Sequence, residues 1–441
     1  MDTKIDFING NTKRCLAAMF LPMMVAMLLN MAYNLVDSLW IGNLLGETAY
    51  AALTNSTPII LILNSVAMGA TNGVSILLSQ AIGANEKEKT EKMIMTSLAV
   101  AIIFSLGVTI LLEVFLKTIL VLLHTPDEIM QSAYQYLAIY ILGYLAVYLY
   151  CYFTAVLRSF GNSVFQVIAM LICTVLNAVL DPLFIHYLGF KGAAIATVAS
   201  QSICLIFMLA YLYKKQFFKL RLSYFERTLV VPFIIKEIPS VFQQSIPAIS
   251  TCFLTSLVTG FGISALAAYG ITGKLETILF YPAIALNMSL TSIVGQCVGG
   301  TRYDRVKNYI KLALQYGIVI LIILSALIVC FSNWLSYLFV NSEAAAEIVD
   351  VYFKIVGIGY VLNTVTNCFL GSLNGMGKPS KSMLCMVLYY LIIRMPLAWV
   401  LSNSLYELNG IWIAVLISHV IAAVAATVVA NRELCKQEKR N

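Results

Sequence analysis

Two matching hexapeptides decide the architecture of this chain. Ser79-Gln80-Ala81-Ile82-Gly83-Ala84 closes a long apolar stretch and runs into a charged loop. Gly295-Gln296-Cys297-Val298-Gly299-Gly300 closes another such stretch 216 residues later. Other residues repeat at the same offset: Leu157 and Gly161 with Leu373 and Gly377, and Ala51 and Ala52 with Ala267 and Ala268. A constant offset at several positions in matching order indicates two homologous halves.

Composition places both halves in a membrane. Of 441 residues, 60% are hydrophobic and only 11% are charged, whereas a soluble chain carries roughly 25% charged residues. Apolar runs of about 20 residues, each able to cross a hydrocarbon layer of about 30 Å as a helix, recur along the chain. They predict twelve transmembrane helices, near residues 15–42, 52–81, 94–122, 131–158, 164–187, 192–213, 240–262, 266–297, 308–333, 345–371, 383–403 and 409–430.

The predicted fold is an all-α integral membrane protein with two six-helix lobes. Because six is an even number, both lobes keep one orientation, and a pseudo-two-fold axis along the membrane normal should relate them. The division predicted is an N-lobe at 1–213, a basic cytoplasmic linker at 214–239 and a C-lobe at 240–441. Two like lobes of this kind favour a transport function by alternating access.

Basic residues are concentrated in alternate loops. The largest group lies between the sixth and seventh helices: Lys214, Lys215, Lys219, Arg221, Arg227 and Lys236. Since cytoplasmic loops carry the excess of Lys and Arg, both termini are predicted to be cytoplasmic. All four tryptophans, Trp40, Trp334, Trp399 and Trp412, fall toward the opposite ends of their helices, where an interfacial belt is expected.

Several classes of function are disfavoured. The net charge of +7 is sorted by membrane side, so it does not indicate a nucleic-acid partner. Ten scattered cysteines without a C-x-x-C pair and three histidines that do not cluster argue against a metal site. An intramembrane enzyme is a weak alternative, because the chain has no D-D-x-x-D, H-E-x-x-H or G-x-S-x-G motif.

Carboxylates distinguish the halves. Asp181 corresponds at the common offset to Leu397, and Asp37 aligns with no acidic residue. An ionisable side chain within a span costs about 2.5–3.5 kcal/mol on insertion scales, so each one calls for a function or a partner. Asp37, Asn177, Asp181 and Thr197 all fall at a depth of roughly 8–15 Å at 1.5 Å per residue, and we expect them to meet.

Helix periodicity refines this site. Asn177 and Asp181 are four residues apart and share a helix face, and the first helix carries a polar stripe of Asn30, Tyr33, Asn34 and Asp37. Such a stripe should face the lobe interior or a wet cavity, so Asn30, Tyr33 and Asn34 are candidate substrate-cleft residues. Two carboxylates in a low-dielectric pocket cannot easily both stay ionised, so the pair should bind H⁺ or Na⁺. The alternative is that these are hydrated residues near a helix end.

Three further residues attract attention. Pro22 removes a backbone hydrogen bond from the first helix and allows it to kink. Glu276 in the eighth span is a candidate substrate-facing residue of the second lobe. Arg394 is interpreted as a side chain that snorkels to the interface.

These stretches resemble the multidrug and toxic compound extrusion (MATE) family, and the Asn-x-x-x-Asp-Pro sequence with the early Val-Asp resembles its prokaryotic DinF-like branch. The matching stretches are Tyr33–Gly42, Ser79–Ala84, Leu157–Gly161, Leu176–Ile185, Gly192–Thr197 and Gly295–Gln296. The resemblance covers essentially the whole chain.

The resemblance implies a cation-coupled antiporter in a prokaryotic plasma membrane, expected to be a monomer without cofactor, that exports cationic or amphiphilic compounds in exchange for H⁺ or Na⁺. It places the cation site in the first lobe on Asp37, Tyr136, Asn177, Asp181 and Thr197, and a helix bend at Pro22. Second-lobe coupling would depend on Glu276. A related two-lobe flippase of lipid-linked saccharides remains an alternative, for which Arg158, Lys274 and Arg394 are the candidate pyrophosphate ligands.

Overall fold

The computed structural model describes residues 5–123, 125–219, 221–339 and 342–439, and within these ranges all regular structure is helical. Apart from two short 3-10 helices, Leu222–Tyr224 and Arg227–Leu229, fourteen helices follow one another. They are α1 Thr12–Gly46, α2 Thr48–Gly83, α3 Lys87–Leu122, α4 Asp127–Leu142, α5 Tyr144–Ser159, α6 Val164–Leu188, α7 Phe190–Lys215, α8 Val230–Thr259, α9 Ile263–Gly299, α10 Tyr303–Tyr337, α11 Glu343–Val356, α12 Gly359–Gly375, α13 Pro379–Ser402 and α14 Glu407–Glu438. This confirms the predicted all-α membrane fold.

The twelve predicted spans correspond to these fourteen helices because two spans are broken. Among the described residues, ten helices are long and apolar enough to cross a membrane singly, and α4 with α5 makes an eleventh span, bent by 47°. The predicted span at 345–371 is α11 and α12, interrupted at Gly357 and Ile358. Neither helix is long enough to cross a membrane alone, and α12 buries polar residues, which include Asn363, Thr364 and Thr366.

Glycines mark the breaks between consecutive helices. Gly46 separates α1 from α2 with φ 80° and ψ −169°, a conformation that only glycine adopts readily. Gly143 lies between α4 and α5, and a Cβ there would stand 2.4 Å from a methyl carbon of Val198 on α7. The bent span therefore packs closely against α7 at the point where it bends.

The helices form two compact units that do not follow the sequence halves strictly. The first unit contains Leu21–Leu78 and Glu86–Glu237. The second contains Ile5–Phe20, Ser79–Asn85 and the chain from Ile238 onward. The start of α1 and the end of α2 are thus packed with the second half of the chain.

Within the second unit, the repeated hexapeptides contact each other. A Cβ on Gly83 would lie 2.0 Å from the carbonyl oxygen of Gln296, and a Cβ on Gly299 would lie 2.0 Å from that of Gln80. Each glycine is 216 residues from its counterpart, as is each glutamine, so the contact is reciprocal. The Gln80 amide also donates to the Gly375 carbonyl oxygen at 2.8 Å. The ends of α2 and α9 therefore cross with their backbones in contact, at a separation that leaves no room for a Cβ at either glycine.

The core of the second unit corrects one expectation. Trp412 is fully buried among Leu279, Tyr352 and neighbouring side chains, and its ring lies 4.7 Å from that of Tyr352. The assignment of Trp412 to an interfacial belt was therefore wrong. Trp334 and Trp399 are more than half exposed, as a belt requires.

The crossing of α2 and α9 generates a stability prediction. Gly83→Ala and Gly299→Ala each place a methyl group against a backbone carbonyl that cannot rotate away, so we expect each to lower the free energy of unfolding by about 1–3 kcal/mol, as overpacking does. Thermal unfolding of the detergent-solubilised protein measures this. Gly270→Ala on α9 is the control, because no atom lies within 4 Å of a Cβ there. Equal melting temperatures in all three variants would contradict the close contact.

Candidate cation site

Polar side chains from four helices converge inside the first unit. Asp37 comes from α1, Tyr136 from α4, Asn177 and Asp181 from α6, and Thr197 from α7. All five are buried: Asp37 is 9% exposed and Asp181 is 0% exposed. The structure brings together the five residues on which the sequence places a cation site.

The two carboxyl groups are direct neighbours. Asp37 and Asp181 lie within hydrogen-bonding reach of each other. The Asn177 amide donates to Asp181 Oδ1 at 2.9 Å, which is the contact expected of side chains four residues apart on one helix face. One helix therefore supplies both a carboxylate and an amide, and α1 brings the second carboxylate to them.

Four buried oxygen atoms in this cluster accept no hydrogen bond from the described residues. They are Asp37 Oδ1, Asp181 Oδ2, Asn177 Oδ1 and Thr197 Oγ1. An unpaired buried polar atom costs about 1–3 kcal/mol, and a charged one costs more. Carboxylate, amide and hydroxyl oxygens are the ligands that hard cations prefer. The arrangement can therefore accept a proton or a small hard cation.

A tight approach of α6 to α7 fixes the helix that carries Thr197 against the helix that carries Asn177 and Asp181. A Cβ on Gly192 would lie 2.1 Å from the Phe184 carbonyl oxygen, so no larger residue fits where the two helices meet. Ala193, Ala194 and Ala196 continue the contact surface of α7 and are fully buried. Small residues thus allow the backbones to pack closely, as is common between membrane helices.

Two tyrosines enclose the cluster. The Tyr33 hydroxyl lies 3.4 Å from Ser200 Oγ, and its ring packs with Met170, Cys173 and Cys204. The Tyr136 ring stacks on Phe190 at 4.8 Å between centroids. Asp181 is 0% exposed, and low-dielectric surroundings strengthen the interaction of a buried carboxyl group with a bound cation.

The polar stripe of α1 is divided between two environments. Tyr33 and Asp37 are buried, whereas Asn30 and Asn34 are exposed, and the Asn34 amide donates to the Asn30 carbonyl oxygen at 2.8 Å. Asn30 and Asn34 therefore stand outside the cation cluster. The backbone of α1 stays helical at Pro22, which lies two residues after Phe20, the last α1 residue of the second unit.

The second unit contains a buried polar network that the sequence did not reveal. Glu276 on α9 accepts hydrogen bonds from the hydroxyls of Tyr352 and Tyr360, and it lies outside the first-unit cluster. Arg394 is 6% exposed, and its guanidinium donates to Ser418 Oγ and to the Tyr389 hydroxyl, each at 2.9 Å. The interpretation of Arg394 as a snorkelling residue was therefore wrong.

The spacing of Arg394 from two preceding tyrosines is a sequence feature that could have indicated this network. Arg394 follows two adjacent tyrosines by four and five residues, and its guanidinium carbon lies 4.7 Å from the Tyr389 ring centroid and 4.5 Å from that of Tyr390. The segment Val387–Arg394 of α13 is a π-helix, a form found most often at functional sites. Hydropathy alone does not show on which face of a helix such a residue lies.

Comparison with known proteins agrees with this architecture. The sequence profile of the MatE family matches residues 22–183 and 239–400, one match in each half. The probable multidrug resistance protein YpnP of Bacillus subtilis is 27% identical over 424 residues, which cover 96% of this chain and 95% of that protein. The probable multidrug resistance protein YoeA of the same organism is 25% identical over 413 residues, which cover 91% and 89%.

A solved structure shares the fold over its full length. The crystal structure of MATE in complex with MaL6 superposes with a TM-score of 0.94 at 23% identity, covering 100% of both chains. The family profile spans most of both halves. The chain therefore belongs to the MATE family, as its motifs implied, and is a multi-pass membrane transporter and not an enzyme.

Proposed function

We propose that this protein exports small cationic or amphiphilic compounds from a prokaryotic cell, in exchange for H⁺ or Na⁺ bound at Asp37 and Asp181. Asn177, Thr197 and Tyr136 would complete the cation site. The proposal includes a monomer in the plasma membrane with cytoplasmic termini, a linker at 214–239, and membership of the DinF-like branch. The names of the two Bacillus relatives support export of several unrelated compounds.

The observation that carries the proposal is the set of four unpartnered oxygens around two adjacent carboxyl groups. In the second unit, by contrast, the partly buried Glu276 carboxylate already accepts from two tyrosine hydroxyls. A satisfied carboxylate gains little from a bound cation, whereas an unsatisfied pair gains both charge neutralisation and ligands. This difference favours the first unit as the coupling site.

The proposed cycle couples the cation to the compound through α1. Substrate enters from the cytoplasm, and the transporter then opens to the outside and takes up the cation between Asp37 on α1 and Asp181 on α6. A bound cation holds the two carboxyl groups together, so it fixes α1 relative to α6 and disfavours substrate binding. Such coupling requires that the cation and the compound bind the two states of the transporter with different affinities.

The flippase alternative receives less support. Of its three candidate pyrophosphate ligands, Arg394 is occupied by Ser418 and Tyr389, and Lys274 lies 5.3 Å from the Phe339 ring centroid. A pyrophosphate group calls for several convergent basic side chains in one cavity. The first-unit cluster is acidic, which suits a cation and not a phosphate.

The carboxyl pair generates the first functional prediction. Asp37→Asn and Asp181→Asn should each reduce gradient-driven export by roughly 5–150-fold, the usual range of coupling between two sites. Dye efflux from proteoliposomes with an imposed pH or Na⁺ gradient measures this. The double variant should be no worse than the more severe single variant, because the two groups act on one cation.

A control separates coupling from stability. Asp127→Asn, at the exposed start of α4, removes the same charge and should leave export unchanged. The melting temperatures of Asp37→Asn and Asp181→Asn should not fall, because an amide avoids the cost of an unpaired buried charge. Undiminished export by the double variant would refute the assignment.

Thr197 distinguishes the two candidate ions. A Na⁺ ion needs several oxygen ligands, whereas a proton needs one carboxylate, so Thr197→Val should weaken Na⁺-driven export and leave export driven by a pH gradient unchanged. Each gradient is imposed alone on the same proteoliposomes. Thr54→Val on α2 is the control, since its hydroxyl donates to the Tyr50 carbonyl oxygen at 2.9 Å. Equal loss under both gradients would contradict a role for Thr197 as an ion ligand.

A further inference from the structure

A cavity of about 360 Å³ opens on the second unit between α13 and α14. It lies where the two helices approach their charged ends, separate from both the carboxyl cluster and the Glu276 network. Nine residues line it: Lys381, Leu384, Cys385, Leu388, Ala425, Val429, Arg432, Glu433 and Lys436. The first residues on α13 and the last on α14 are charged, and the remainder are apolar.

The rim of this cavity carries an excess of positive charge. Lys381 Nζ lies 2.5 Å and Lys436 Nζ lies 3.4 Å from Glu433 Oε1, so a single carboxylate holds two ammonium groups. Arg432 is exposed and forms no ion pair with any residue in the described ranges. Three cations against one anion leave two positive charges at the rim. Glu433, which is 7% exposed, holds Lys381 and Lys436 in place.

The floor of the cavity is apolar and runs into the membrane. Leu388 lies seven residues beyond Lys381 on α13, and Val429 lies seven residues before Lys436 on α14, which at 1.5 Å per residue is about 10 Å of depth. The small side chains of Cys385 and Ala425 leave the groove open between the helices. Leu384 is 59% exposed, as expected of a residue that faces lipid.

We propose that this cavity binds a phospholipid with an anionic headgroup. Its phosphate lies against Arg432 and Lys436, and one acyl chain lies in the groove over Ala425, Leu388 and Val429. Basic pockets between transmembrane helices on the cytoplasmic side bind acidic lipid headgroups, and the cytoplasmic leaflet is where such lipids attract Lys and Arg. A free anion would contact the rim alone and leave the apolar floor empty. Because an acyl chain fits that floor, the groove favours a lipid over a free anion.

Native mass spectrometry of the full-length, delipidated transporter in detergent tests the proposal. The probes are dioleoyl phosphatidylglycerol, dioleoyl phosphatidylcholine and sn-glycerol 3-phosphate. We expect phosphatidylglycerol to bind at least about tenfold more tightly than phosphatidylcholine, and Arg432→Gln and Lys436→Gln each to weaken it about fivefold, the effect of one basic residue near an anionic surface. Lys439→Gln, three residues further along and exposed, should change it less than about twofold.

A separate variant tests whether the apolar groove holds an acyl chain. Ala425→Phe fills the floor without a change in charge and should weaken phosphatidylglycerol binding, whereas Val424→Phe, on the exposed face of α14, should not. A monodisperse elution profile and unchanged melting temperature without lipid show that each variant is folded. The proposal is overturned by equal affinity for the two lipids, by charge variants indistinguishable from Lys439→Gln, or by displacement of the lipid with equimolar sn-glycerol 3-phosphate.

Discussion

Hydrocarbon offers no hydrogen bonds, and this single constraint shapes the whole chain. Every backbone N–H and C=O within the membrane must be paired inside its own helix or by a neighbour. The helices therefore break only at a few positions, and glycine occupies the breaks at Gly46, Gly143 and Gly357. At Gly143 the absent side chain also makes room for Val198. The breaks at Gly143 and Gly357 are thus covered by a neighbouring helix, whereas no atom lies within 4 Å of a Cβ at Gly46.

The same lack of hydrogen bonds from hydrocarbon means that buried polar side chains need partners within the protein. In the second unit Arg394 is buried and Glu276 is partly buried, and tyrosine and serine hydroxyls form hydrogen bonds with both. Asp37, Asp181, Asn177 and Thr197 each keep an oxygen without a donor. Both clusters are polar, but only the second-unit cluster is complete within the protein. An incomplete cluster in a low-dielectric interior is poised to take up a ligand from outside.

Sequence periodicity predicts depth along a helix well and rotation about it poorly. The twelve spans follow from hydropathy, and matched depth with the Asn177–Asp181 spacing predicts the carboxyl cluster. The α1 stripe is about 100° wide at 100° per residue, and the boundary between buried and exposed faces cuts through it, with Tyr33 and Asp37 inside and Asn34 outside. Hydropathy could not locate that boundary, because it depends on how α1 packs against α6 and α7. The buried positions of Arg394 and Trp412 escaped prediction for the same reason.

The repeat explains which features are shared and which are not. Gly83 and Gly299 match because one crossing uses both of them, so a change in either disturbs the same contact. Buried charged residues, by contrast, do not have to match between the two halves. At the common offset Arg394 on α13 corresponds to Ala178 on α6, beside Asn177 and one turn before Asp181. Equivalent helices therefore carry opposite buried charges. A guanidinium inside the second unit repels a nearby cation, whereas a carboxyl pair attracts one, so the two helices offer opposite electrostatic environments.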